Sequence, residues 1–209
     1  MSFFKSLWFK CTVVLLAIAV VAGGLLAVLN NVLAVSDKER TTRAIKAIYG
    51  TEMAHEIIRE YDKNLFAETN DIKYQKYENE YGEITNVYKI TNETENCVDY
   101  LFKSTGINGY KGGTITLWVK LSVDYNQNYK ITSIVMESFD KQTLMSKLDA
   151  NYYEGFYKDI ANEMQNYFTA DEKDTSNTLN VATNATKSSR AGANAVNCVI
   201  KYVRDGETL

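Results

Sequence analysis

The sequence predicts an α+β protein: one N-terminal transmembrane helix, then an extracytoplasmic domain with an antiparallel sheet packed by helices. Three observations predict it. A long apolar run without charge opens the chain. Stretches of alternating apolar and polar residues fill its middle. Stretches of three- and four-residue apolar spacing flank them.

The opening run, "CTVVLLAIAVVAGGLLAVLNNVLAV", extends from Cys11 to Val35. Its most apolar part, Cys11 to Leu29, approaches the roughly 20 residues that a helix needs to cross a bilayer. Lys5 and Lys10 precede it, which keeps the short tail in the cytoplasm and sends the remainder outward. Phe3, Phe4, Trp8 and Phe9 suit the membrane interface, and Gly23 and Gly24 would let a partner helix approach. A cleaved signal peptide is the competing reading, with Val32 and Ala34 as small residues before a cut. Signal cores run about 7–15 residues, so an uncleaved anchor in the cell membrane is the expectation. The expected organisation is tail and anchor over 1–35, a helical connector over 36–66, and one domain over 67–209.

Spacing from Ser36 to about Tyr61 predicts helix: Ala44, Ile45 and Ile48, then Met53, Ile57 and Ile58, with a break at Gly50. His55, the only histidine, falls in this stretch, where a surface or packing role is expected. Strands are expected in "DIKYQKYE", "ITNVYKIT" and "CVDYLFKS". The clearest is "TITLWVKLSV". Ile115, Leu117, Val119, Leu121 and Val123 point one way, and Thr116, Trp118, Lys120 and Ser122 the other. "DYNQN" turns the chain into the hairpin partner "YKITSIVMES", giving a sheet with one packed and one more polar face. "YYEGFYKDIANEMQNYF" reads as a helix striped by Tyr153, Phe156, Tyr157, Ile160, Met164 and Phe168. A last helix after Lys187 can bury Ala191, Ala195, Cys198, Val199 and Tyr202 on one face.

Composition narrows the function. Net charge is −3 and no basic block stands out, which argues against nucleic-acid binding. Proline is absent, Lys outnumbers Arg and Asn is abundant, a bias of AT-rich bacterial genes. Cys11, Cys97 and Cys198 include no CxxC pair, so zinc and iron–sulfur sites lack their usual ligands. Cys97 and Cys198 are either two isolated thiols or a disulfide of an exported domain. With one histidine, most hydrolase chemistries lose their parts.

Two stretches point to a ligand. "ATNATKSS" places Thr183, Asn184, Ala185, Thr186, Lys187, Ser188 and Ser189 before and into the last helix. Unpaired N–H groups at a helix start favour an anion such as phosphate, and the two serines add donors. Thr186 or Thr183 can equally be a plain helix cap. "GINGYKGG" is a glycine-rich turn feeding the hairpin, in which Gly106, Gly109, Gly112 and Gly113 permit sharp bends or close approach of a flat ligand.

The order of glycine turn, hairpin, "DKQTLMSKL", aromatic helix, "TNATKSS" and small-residue helix resembles the FMN-binding domain family. That family includes the G subunit of Rnf-type ion-translocating ferredoxin:NAD oxidoreductases and the C subunit of sodium-translocating NADH:quinone reductases. The resemblance spans nearly the whole chain, including "LLAVLNNVLAVSDKE" at the membrane exit. It implies FMN held covalently through a phosphoester on Thr186, installed by a separate flavin transferase. The ring would lie against Gly109, Tyr110, Gly112 and Gly113, near Gln142, Thr143 and Leu144. Three features depart from the family pattern. Asn184 stands where the attachment motif has glycine, Asn180 where an Asp is usual, and Gln142 and Leu144 where Glu and Pro flank the threonine.

The implied role is a membrane-anchored flavoprotein. It would act as an electron-transfer subunit of an Rnf-like ion-translocating complex, with integral redox subunits as partners and no independent substrate site. Two alternatives remain open: a free-standing extracytoplasmic electron relay, and a surface binding module that has lost its flavin.

Overall fold

The computed structural model of the 209-residue chain describes residues 7–33, 36–92, 97–123, 129–158, 185–207 and 209. The chain divides into two units, Met1–Thr42 and Arg43–Leu209.

In the first unit, α1 (Leu7–Leu33) is the apolar helix. The 22 residues from Trp8 to Leu29 are long and apolar enough to span a bilayer, at about 33 Å of helix against about 30 Å of hydrocarbon. Its leucines and valines from Val13 to Leu29 are exposed, as a lipid-facing helix requires. The Thr12 hydroxyl satisfies itself on the Trp8 carbonyl at 2.9 Å, so its polar group costs little in an apolar setting.

The second unit is built on a six-stranded, wholly antiparallel sheet, with helices packed on it. Its strands are β1 (Glu56–Glu60), β2 (Tyr77–Asn79), β3 (Gly82–Asn92), β4 (Cys97–Gly106), β5 (Ile115–Val123) and β6 (Tyr129–Phe139). The order is β1-β3-β4-β5-β6, and β2 shares the outer edge of β3 with β1. Alternation along β5 places Ile115, Leu117, Val119 and Leu121 in the main core, with Val123 packed against it. The opposite face is less polar than the alternation suggests. Trp118 is buried there with Tyr88, Ile90 and Leu101 under Ala44 and Ile45 of α2 (Asp37–Tyr49). Lys120, on that same face, is buried through an ion pair to Asp99 at 3.1 Å.

The helix expected up to Tyr61 stops at Tyr49. Gly50 follows at φ +75°, a left-handed conformation that suits glycine and ends the helix. Glu56–Glu60 is strand β1 instead. Ile57 packs into the Trp118 cluster and Ile58 into the main core, so the pair reads with period two. His55 therefore lies in an exposed extended segment, edge-on to the Tyr88 ring at 5.1 Å. "DIKYQKYE" is not one strand either. The Asp71 side chain accepts from the Lys73 amide at 2.9 Å and closes a short turn, leaving only β2 extended. The strands expected in "ITNVYKIT", "CVDYLFKS" and the hairpin pair are present as β3 to β6.

Short α3 (Lys63–Thr69) is capped by the Asp62 carboxylate. The aromatic helix is α4 (Ala150–Lys158), in which Tyr153 is buried; Ile160, Met164 and Phe168 lie outside the described residues. The last helix, α5 (Thr186–Arg204), buries Ala191, Ala195, Cys198, Val199 and Tyr202 on the sheet. Cys97 and Cys198 are free thiols, and burial pushes Cys198 up to about 12.

Candidate functional site

Gly106, the last residue of β4, sets where α5 lies. A Cβ there would overlap the backbone of Ala191 and Ala195, so the helix rests directly on the strand. Two hydrogen bonds fix its position along the strand. The Ser104 hydroxyl donates to the Ala195 carbonyl at 2.7 Å, and Asn194 Nδ2 donates to the Ile107 carbonyl at 2.8 Å. The start of α5 is thereby brought beside the glycine turn that follows β4.

That turn is closed by its own backbone. Gly109 N–H donates to the Gly113 carbonyl at 3.0 Å, and Gly113 N–H to the Tyr110 carbonyl at 2.9 Å. Gly112 has φ +70° and Lys111 φ +51°, so the bend uses one residue suited to the left-handed region and one that is not. Beyond the turn, Thr114 and Asp140 exchange backbone hydrogen bonds at 3.2 and 3.0 Å, which places Gln142 over the turn.

Gln142 is the junction of the site. Its Oε1 accepts from the Tyr110 amide at 3.0 Å and from the Ser188 hydroxyl at 2.9 Å; its Nε2 donates to the Asp140 carbonyl at 2.8 Å. Its carboxamide also fills the space that a Cβ of Gly109 or Gly113 would need. A single buried amide thus ties together the glycine turn, the end of β6 and the first turn of α5.

The sequence-predicted residues separate accordingly. Gly109, Tyr110, Gly112, Gly113, Gln142, Thr143, Leu144, Ala185, Thr186, Lys187, Ser188 and Ser189 come from three stretches that meet here. Thr183, Asn184 and Asn180 lie outside the described residues. Thr186 is not the helix cap: Ala185 is the N-cap and offers no side-chain hydrogen bond, and Thr186 is the first helical residue. Ser188 and Ser189 are both buried, Ser188 held by Gln142 and Ser189 beside the Tyr152 phenol. Thr186 is half-buried, the least buried of the three described motif residues that carry a hydroxyl. The face of Gly109 and Gly113 expected to meet a ring is taken by Gln142, whereas nothing approaches the Cβ direction of Gly112.

An open cleft of about 400 Å³ lies against this assembly, lined by Asn108, Gly109, Lys111, Gly112, Lys187 and Arg190. Lys111 and Arg190 were not among the expected residues. The signal was present as a cation between two glycines and as the Lys187–Arg190 spacing, one helical turn apart. Leu144 sits at φ +60° and is exposed, a strained conformation for a leucine, two residues after Gln142. No acidic or histidine cluster able to hold a metal occurs among the described residues.

No protein-family model matches the chain, and no curated protein matches it.

Proposed function

We propose that the protein is a membrane-anchored flavoprotein that carries FMN as a phosphoester on Thr186. In this reading it serves as an electron-transfer subunit of an Rnf-like ion-translocating redox complex. One observation carries the reading. Of the motif residues described that carry a hydroxyl, Ser188 and Ser189 are buried and Thr186 alone is partly exposed, at the head of a helix beside an open cationic cleft. The residues present suit such a group. Gly112 leaves room for a flat ring, and the N-terminus of α5 favours its phosphate.

Bound FMN would supply the coupling of two-electron to one-electron chemistry. The chain's own work is placement. Thr186 Oγ1 would hold the group as a phosphoester. The ester forms when the hydroxyl loses its proton and takes the flavin phosphoryl from a flavin dinucleotide supplied by the transferase; the P–O–P bond of the dinucleotide breaks and releases the nucleoside monophosphate. Gln142 holds the Tyr110 amide and the Ser188 hydroxyl at fixed distance, so the turn and the attachment helix keep one relative position. α1 keeps the domain at the membrane, in contact with integral subunits. Lys5 and Lys10 support a cytoplasmic N-terminus and an extracytoplasmic second unit. A covalent tether is useful there, because a flavin lost outside the cell is not recovered.

The test is a denaturing gel of the full chain co-expressed with a flavin transferase. A fluorescent band that vanishes in Thr186→Ala supports the reading; a dark band from the unaltered chain refutes it. Protease treatment of intact cells reports which side of the membrane holds the second unit. Affinity isolation from native membranes separates a complex subunit from a free-standing relay.

A further inference from the structure

Three cations surround the cleft, Lys111 from the glycine turn and Lys187 and Arg190 from α5, and none pairs with a carboxylate among the described residues. Several cations elsewhere on the described surface do pair. Lys76 is shared by Glu78 and Glu83, Lys103 meets Glu137, Lys141 meets Asp140, and Lys201 meets Glu80 and Asp205. Three positive charges thus converge on one cleft in a chain of net charge −3. All three side chains are exposed and the cleft is open. A small-anion pocket would enclose its cations and fix them by hydrogen bonds. Exposed cations on flexible stems contribute little to tight binding, but they steer an approaching surface of opposite charge.

We propose that Lys111, Lys187 and Arg190 form an electrostatic docking surface for an acidic protein, the redox partner that exchanges electrons at this cleft. The docking surface stands on the cleft's own geometry; its assignment to electron exchange rests on the flavin reading above.

Two experiments test the two parts separately. In the first, the full chain carrying Thr186→Ala, and hence no flavin, is placed in neutral-lipid nanodiscs. Binding of a fluorescent ten-residue polyglutamate is followed by anisotropy. The expected result is binding that weakens about tenfold between low and physiological salt and is lost in Lys111→Gln/Lys187→Gln/Arg190→Gln. Equal binding by the triple variant overturns the docking surface. So does displacement of the peptide by about 1 mM inorganic phosphate at constant ionic strength, which would make the cleft a small-anion site.

In the second, the flavin-loaded chain is photoreduced and mixed with hexacyanoferrate(III) or hexaammineruthenium(III). Each ion accepts one electron, so one reduced ring reduces two ions and releases its protons to buffer. Salt should slow the anionic oxidant and leave unchanged or speed the cationic one, and the triple variant should remove the difference. Salt slopes of the same sign for both oxidants overturn the assignment to electron exchange. A chain that acquires no flavin at all refutes the flavin reading and leaves the peptide result standing.

Discussion

The Ser188 hydroxyl lies 2.9 Å from Gln142 Oε1, joining the first turn of α5 to a residue 46 positions earlier in the chain. The same hydroxyl is 3.3 Å from the Thr143 carbonyl, but it has one proton to give and the nearer acceptor takes it. Gln142 then accepts twice and donates once, a set that an ionised carboxylate cannot offer. The carboxamide of Gln142 thus meets all three partners, where the carboxylate of a Glu would leave the Asp140 carbonyl without a donor.

Gln142→Glu should destabilise the second unit by about 2 kcal/mol at neutral pH, because a carboxylate would face the Asp140 carbonyl with no proton to donate. The introduced carboxyl would hold its proton in the fold, with a folded pKa above the unfolded value of about 4.3. The unfolded state releases that proton first as pH rises. The variant therefore keeps its stability below the unfolded value and loses it as pH climbs through the folded one. Urea unfolding of the variant and the parent across pH 4 to 8 checks both magnitude and sign. A difference independent of pH would contradict the assigned donor role of Nε2.

Gly106→Ala should cost about 3 kcal/mol or more, since its Cβ would enter the backbone of Ala191 and Ala195 and no side-chain rotation relieves it. The helix would be pushed off β4, taking the Ser104 and Asn194 hydrogen bonds with it. Hydrogen exchange should then rise along α5 more than along β5. Uniform protection would show that the strand yields instead of the helix.

On the other face of the sheet, Asp99 is fully buried and is held by Lys120 at 3.1 Å and by the Tyr49 hydroxyl at 2.8 Å. The Lys120 ammonium also stands 4.6 Å from the centre of the Tyr49 ring. Asp99→Ala strands a lysine of low exposure and should cost about 3–5 kcal/mol, whereas Asp99→Ala with Lys120→Met should cost less than the first change alone. A thermal-unfolding double-mutant cycle in the full chain measures the coupling. Additive losses would mean that the pair is not a unit.

Legibility in the sequence followed the range of the interactions. β5 was legible because its alternation, Ile115 to Val123, is a local signal with one answer. β1 was misread because Ile57 and Ile58, taken with Met53, mimic helical spacing; only the two separate clusters that receive them reveal the strand. The packing of Trp118 and the burial of Lys120 depend on α2 and Asp99, which are distant in sequence. At the site, the three stretches were identifiable from their glycines and hydroxyls. The Gln142 junction was not, since it depends on backbone groups of Tyr110 and Asp140 that no residue type announces. Gln142 itself was visible, but its role required the acceptors and donors around it.

Cys198 gives the last prediction. Its thiol sits on the buried face of α5, and burial, the largest influence, pushes it up to about 12 from an ordinary value near 9. The folded chain keeps that proton while the unfolded chain releases it above about pH 9. Stability contributed by the protonated thiol is therefore present below pH 9 and lost as pH rises toward 12. The slope approaches about 1.4 kcal/mol per pH unit at most, since one proton is involved. Cys198→Ala should leave a shallower alkaline decline while costing little near pH 7, because only a sulfur is removed from the packed face. Burial also raises the phenols of Tyr77, Tyr153 and Tyr202, so the variant's decline should flatten without disappearing. Urea midpoints from pH 7 to 11 decide the matter, and parallel curves for parent and variant would show that the thiol titrates alike in both states.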